Sequence, residues 1–151
     1  MRKFIFTFMF ILSSFISFAN NDTINNIDTI KINMDKLLKA IIKVESGGNA
    51  HAISPDSSCI GILQIKTIVV DDCNEYLKMK GKTPKYTYQD RYNAKKSIEM
   101  FYLIQERYAN FKPERSSSKI EHIIRLWNGG CGYRIKSTQK YYETVMSIYK
   151  K

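Results

Sequence analysis

Residues 33–49 read NMDKLLKAIIKVESGGN, and the periodicity of this stretch decides the fold class. Asn33 is a favoured helix N-cap, and Asp35 places negative charge in the first turn, where the helix dipole is positive. Leu38, Ile41, Ile42 and Glu45 follow at i, i+3, i+4 and i+7, along one helix face. Ser46-Gly47-Gly48-Asn49 stops that helix. Glu45 therefore falls in the last turn, on the stripe expected to face a core. A carboxylate on such a face loses hydration, which favours its protonated form and raises its pKa. Read alone, Glu45 is more simply a helix-end residue turned to solvent or paired with a lysine.

Further along, residues 51–58 are turn-forming, most clearly at Ser54-Pro55-Asp56-Ser57. Gly61-Ile62-Leu63-Gln64-Ile65 reads as a short extended segment running into a helix over Thr67 to Lys80, which Gly81-Lys82-Thr83-Pro84 breaks. A long amphipathic helix is expected from Asp90 to Tyr108, with Ile98, Phe101, Tyr102 and Gln105 on one face and Phe111-Lys112-Pro113 closing it. Ile120, Ile123, Ile124 and Trp127 form another stripe, ended by Asn128-Gly129-Gly130. The last helix is expected to open near Ser137 or Thr138 and carries Tyr141, Tyr142, Val145, Ile148 and Tyr149. No internal repeat or second domain is visible, and 151 residues suffice for one core.

Residues 1–19 read as an export signal: Arg2 and Lys3, an apolar run from Phe4 to Phe18, then Ser17-Phe18-Ala19 as a cleavage site. The alternative is an uncleaved anchor, for which the run is short. Residues 20–32 read as a polar linker and 33–151 as the domain. The chain carries 24 Lys and Arg against 14 Asp and Glu, a net charge of +10. Losing Arg2 and Lys3 leaves 22 against 14, or +8. Such charge attracts polyanions, but export argues against nucleic acid and favours the anionic polymers of a bacterial envelope. Cys59, Cys73 and Cys131 permit one disulfide, for which the short loop makes Cys59 with Cys73 the candidate pair. A zinc site using His51 and His122 is the rival, yet no two of these residues have the spacing of a tight ligand pair. No metal or cofactor is expected.

The blocks named so far do not stand singly. Glu45-Ser46-Gly47-Gly48-Asn49, Ser54 and Gly61-Ile62-Leu63-Gln64-Ile65 resemble, in order, the opening signature of the soluble-type lytic transglycosylases, relatives of goose-type lysozyme. Tyr92-Asn93-Ala94 is similar to the start of that family's middle helix, and Leu126-Trp127-Asn128-Gly129-Gly130 to its Tyr-Asn-Ala-Gly block. Thr138-Gln139-Lys140-Tyr141, with Val145 four residues on, resembles the closing Thr-x-x-Tyr-x-x-x-Val pattern. The likeness runs from Met34 to Lys150. It implies a mainly α, lysozyme-like (α+β) single domain with a small extended patch and a substrate groove.

It also implies roles. Glu45 would protonate the glycosidic oxygen of peptidoglycan and then act as base, a task that suits a buried carboxyl. The substrate's own 6-hydroxyl would close the product into a 1,6-anhydro-muramoyl end, with no second carboxylate. Ser54 would contact the N-acetyl group and Gln64 would bond substrate. Trp127 and Asn128 would border the acid, and the Tyr141 hydroxyl would lie near it. Gln64 and Asn128 read equally as loop-backbone partners, and Tyr141 as core. Trp127 departs from the family's tyrosine, keeping a flat surface and losing the hydroxyl; Ile62-Leu63-Gln64 stands for Leu-Met-Gln.

The alternatives are a muramidase of the same fold, drawing a base from Asp71, Asp72 or Asp90, and a wall-binding component of an envelope-spanning secretion or conjugation machine. The expected setting is periplasmic or extracellular. The expected partner is the glycan strand, met by a monomer with no membrane anchor after cleavage.

Overall fold

The computed structural model describes residues 32–111 and 117–151. The expected export signal and all of the expected linker except Ile32 lie outside them. Helix α1 (Met34–Ser46) forms where its signals place it: Asn33 Oδ1 accepts from the Lys36 N–H at 3.0 Å, and Gly47, at φ 66°, supplies the left-handed C-cap. The chain then folds into a small patch in which Ile60 bridges Ile53 on one side and Ile65 on the other, both antiparallel. Residues 61–64 are a tight turn between those bridges rather than the expected extended run, and Gln64 itself sits at φ 48°. The turn is compact because Gly61 lacks a side chain. A Cβ there would stand 1.8 Å from the Arg91 carbonyl oxygen.

Helix α2 (Thr67–Met79) follows the expected span. The long helix expected from Asp90 is divided. Residues 88–92 form one 3₁₀ turn with a Thr87–Asp90 capping box, and α3 (Ala94–Arg107) starts afresh. Asn93 explains the break: its backbone is extended, at ψ 111°, and its side chain caps the Lys96 N–H at 3.1 Å. Helix α3 buries Ser97, Met100, Phe101 and Ile104, whereas Tyr102, expected on the inner face, is 39% exposed. The face is turned because α3 packs on α2 and also touches α4 (Lys119–Gly129).

Helix α5 (Ile135–Tyr149) begins earlier than Ser137 or Thr138. Thr138 is buried within the first turns, its hydroxyl donating to the Arg134 carbonyl at 2.9 Å, so it is not the cap. Helix α5 packs against α1 and α4. Leu37, Ile41, Leu63, Ile65, Phe101, Ile124 and Val145 fill one core shared by these elements. Each such side chain contributes roughly 1.5–3 kcal/mol on burial.

Arg125 is the largest fully buried polar side chain in this packing among the described residues. Arg125, 2% exposed, donates to Glu121 Oε1 at 2.7 Å, Thr138 Oγ1 at 2.8 Å, the Ile135 carbonyl at 3.0 Å and Gln139 Oε1 at 2.7 Å. Its guanidinium also lies 4.6 Å from the Tyr142 ring centroid. This ties α4 to the opening turns of α5. No helix among the described residues is long and apolar enough to cross a membrane.

Candidate active site

The end of α1 is fastened before it presents any chemistry. Ser46 Oγ donates to the Ile62 carbonyl at 2.8 Å and accepts from the Gly48 N–H at 3.2 Å, joining the helix terminus to the 61–64 turn. Glu45, one residue earlier, is half-buried. Tyr141, from α5, donates its hydroxyl to Glu45 Oε1 at 2.6 Å. Burial raises the Glu45 pKa above the ordinary carboxyl value of 4.5, against the opposing pull of hydrogen bonds from Tyr141 and Trp127. The Trp127 contact answers the missing hydroxyl at that position, since an indole N–H is itself a donor. Phe101 meets the Trp127 ring edge-on, 4.9 Å between centroids, and fixes its plane. Burial first, then the Glu45 charge, pushes the Tyr141 phenol well up, so it remains a donor.

Glu45 opens onto a cavity of about 590 Å³ that Gln64, Trp127 and Asn128 also line. Four sequence-predicted residues thus share one cavity, and Tyr141 joins them through its bond to the acid. Gln64 is oriented by its own amide: Nε2 donates to the Ala52 carbonyl at 3.2 Å and to the Gly61 carbonyl at 3.0 Å. That leaves Oε1 as the acceptor it can offer. Ser54 is not among the lining residues. Its hydroxyl donates to Asp56 Oδ1 at 2.5 Å and accepts from the Cys59 N–H at 3.0 Å, which closes the 54–59 turn.

The cysteines are all free. The expected Cys59–Cys73 pair is not formed. Cys73 is fully buried, with its thiol on the Met100 carbonyl at 3.6 Å, whereas Cys59 lines the cavity beside the acid. The two histidines are apart as well. His122 sets its ring nitrogens against the Tyr133 hydroxyl (3.2 Å) and the Tyr108 carbonyl (3.1 Å), while His51 is exposed and stacks near Tyr92. Among the described residues no three His, Cys, Asp or Glu side chains gather where they could hold a metal.

Of the three aspartates weighed as a second carboxylate, Asp72 lines the cavity. Asp71 accepts from the exposed Tyr88 hydroxyl at 3.0 Å, and Asp90 is engaged by Lys96 at 2.6 Å and by the Thr87 N–H at 2.8 Å. Asp72 pairs with Arg107 at 3.2 Å and takes the Tyr108 hydroxyl on both oxygens, at 3.1 and 3.0 Å. Tyr108 and Cys131 also line the cavity; Tyr108 is held there by Asp72 across 36 residues, a contact that leaves no local pattern. A second cavity, of about 470 Å³, lies between α2 and α3. Its carboxylates, Glu99 and Glu106, are bonded to Lys85 and Lys80, which hold both below the ordinary range. Its carboxylates are thus shifted in the direction opposite to that of Glu45.

Residues 22–145 match the family model described as Transglycosylase SLT domain. No curated protein and no solved structure matches the chain.

Proposed function

The chain belongs to the Transglycosylase SLT domain family, whose members are peptidoglycan lytic transglycosylases that cleave glycosidic bonds, and on that premise we propose that it cuts the MurNAc–GlcNAc β-1,4 linkage with Glu45 as its single acid and base. The observation that carries this reading is a half-buried carboxyl of raised pKa at the wall of a cavity, steadied by two neutral donors. A protonated Glu45 gives its proton to the glycosidic oxygen as the C1–O bond breaks. The resulting carboxylate takes the proton of the muramoyl 6-hydroxyl, whose oxygen closes on C1 to give the 1,6-anhydro end. Tyr141 and Trp127 stabilise the carboxylate between the two transfers. Gln64 Oε1 accepts from a sugar hydroxyl or N-acetyl N–H, and Asn128 lines the same wall.

The hydrolase reading draws on Asp72, the other carboxylate in the cavity wall. Its oxygens are already acceptors for Arg107 and Tyr108, so an attacking water must compete for them. This favours the intramolecular nucleophile. Mass spectrometry of muropeptides released from purified peptidoglycan tests the choice. Anhydro-muramoyl ends are expected; reducing muramoyl ends would transfer the chain to the hydrolases.

Tyr141→Phe probes the acid's setting. Removing the hydroxyl withdraws a bond that favours the carboxylate, so the Glu45 pKa moves further up. An acid that works protonated loses activity as pH rises through its pKa, and the alkaline limb of kcat/KM is therefore expected to move to higher pH. The maximum rate is expected to fall about 10-fold with loss of the bond. A limb that stays in place or moves to lower pH would remove Tyr141 from this role.

A further inference from the structure

Two thiols border the cavity of the acid and have no part in the reaction just described. Cys59 comes from the turn before Ile60, and Cys131 from the segment after α4. Both are free and partly exposed. The third thiol is a built-in contrast. Cys73 is 0% exposed, bonded to the Met100 carbonyl, and pushed by burial to about 12. A thiol reacts as thiolate and only where a reagent reaches it.

We propose that Cys59 and Cys131 form an inhibitory modification site for low-molecular-weight disulfides, whose adducts occupy the cavity and exclude the glycan strand. The reaction is thiol–disulfide exchange. The cysteine thiolate attacks one sulfur of the reagent, and a protein–reagent S–S bond forms as the reagent's own S–S bond breaks. The released half leaves as thiolate and takes up the proton the cysteine lost. The reagent's disulfide is the oxidant, so no other is required. A tripeptide-sized adduct in a cavity of about 590 Å³ leaves little room for a sugar beside Glu45. Reduction of the mixed disulfide restores access.

The blocking effect rests on the proposed glycan-cleaving reading; the selectivity among the three thiols does not. The test treats the folded protein with oxidised glutathione and locates adducts by peptide mass mapping. Glycan binding and muropeptide release are followed in the wild type and in Cys59→Ser, Cys131→Ser and the double variant. Adducts are expected on Cys59 and Cys131 and not on Cys73, with release and binding falling at least 10-fold and returning after dithiothreitol. The treated-to-untreated ratio of the double variant is expected to stay near one, whatever its own rate. No adduct at either position, equal labelling of Cys73, full activity and binding of the modified wild type, or inhibition persisting in the double variant would each overturn the proposal. Failure of the untreated protein to cleave is a failure of the enzymatic reading instead, and strand binding then still decides whether the adduct blocks the cavity.

Discussion

Glu45→Gln is expected to lower muropeptide release by a factor on the order of 10²–10⁴, the usual weight of a positioned general acid. The fold is expected to survive. Glutamine has nearly the shape of the acid, and its amide can still accept from Tyr141. The variant is also expected to be the more stable protein at neutral and alkaline pH, and the sign follows from linkage. Burial raises the Glu45 pKa in the folded state, so the folded protein holds this proton more tightly than the unfolded chain. The stabilisation from that difference is complete below the ordinary carboxyl value of 4.5 and is lost as pH rises through the raised folded value. Glutamine carries no such dependence. Thermal melts of both proteins between pH 4 and 9 should therefore show the gap in Tm opening in favour of the variant as pH rises. A variant with wild-type release would end the assignment of Glu45 as the acid; a gap that closes with pH would end the account of its burial. A buried acid whose ionised form costs stability is a common bargain at active sites.

What the sequence discloses about this site depends on how local the cause is. Glu45 is legible because an apolar stripe, an N-cap and a glycine stop all lie within the 17 residues that carry it. Its partners Trp127 and Tyr141 are legible only through their place in a longer pattern, since nothing near them says they converge on α1. Ser54 shows the limit of such a pattern. The residue stands at the matching position, but its hydroxyl donates a hydrogen bond to Asp56 two residues on, a turn contact that the pattern does not carry. The Asn93 break is local in cause, yet Asp90 is as plausible a helix start from composition, and only the Thr87–Asp90 capping box assigns it to a separate turn. Tyr102 misleads for a different reason. Its spacing fits an inner face, but α3 is turned by contacts with α2 and α4 that periodicity does not encode. The cavity wall at Asp72 and Tyr108, joined across 36 residues, has no local signal at all.

The second large effect is expected at a buried ion pair that does not line the acid's cavity. Arg125→Met should destabilise the protein by roughly 3–5 kcal/mol, the cost of leaving one member of a buried pair without its partner. Glu121 is 6% exposed. Burial pushes its carboxyl up, but bonds from Ser117 and Arg125 outweigh burial and hold it below the ordinary range. Methionine fills much of the arginine volume and supplies none of its donors, so Glu121 keeps the desolvation and loses the charge that offsets it. The Thr138 hydroxyl and Gln139 Oε1 lose their donor in the same step. Glu121→Gln combined with Arg125→Met removes the orphaned charge, and this pair is expected to recover part of the loss despite carrying one more substitution. Thermal unfolding distinguishes the two contributions. The single variant is expected to melt roughly 10 °C or more below the wild type, with the double variant between them. A double variant less stable than the single would mean that the lost contacts to α5, rather than the bare carboxylate, carry the cost. In either case Tyr141 rides on the helix that Arg125 secures, so the geometry at Glu45 depends on this buried charge as well.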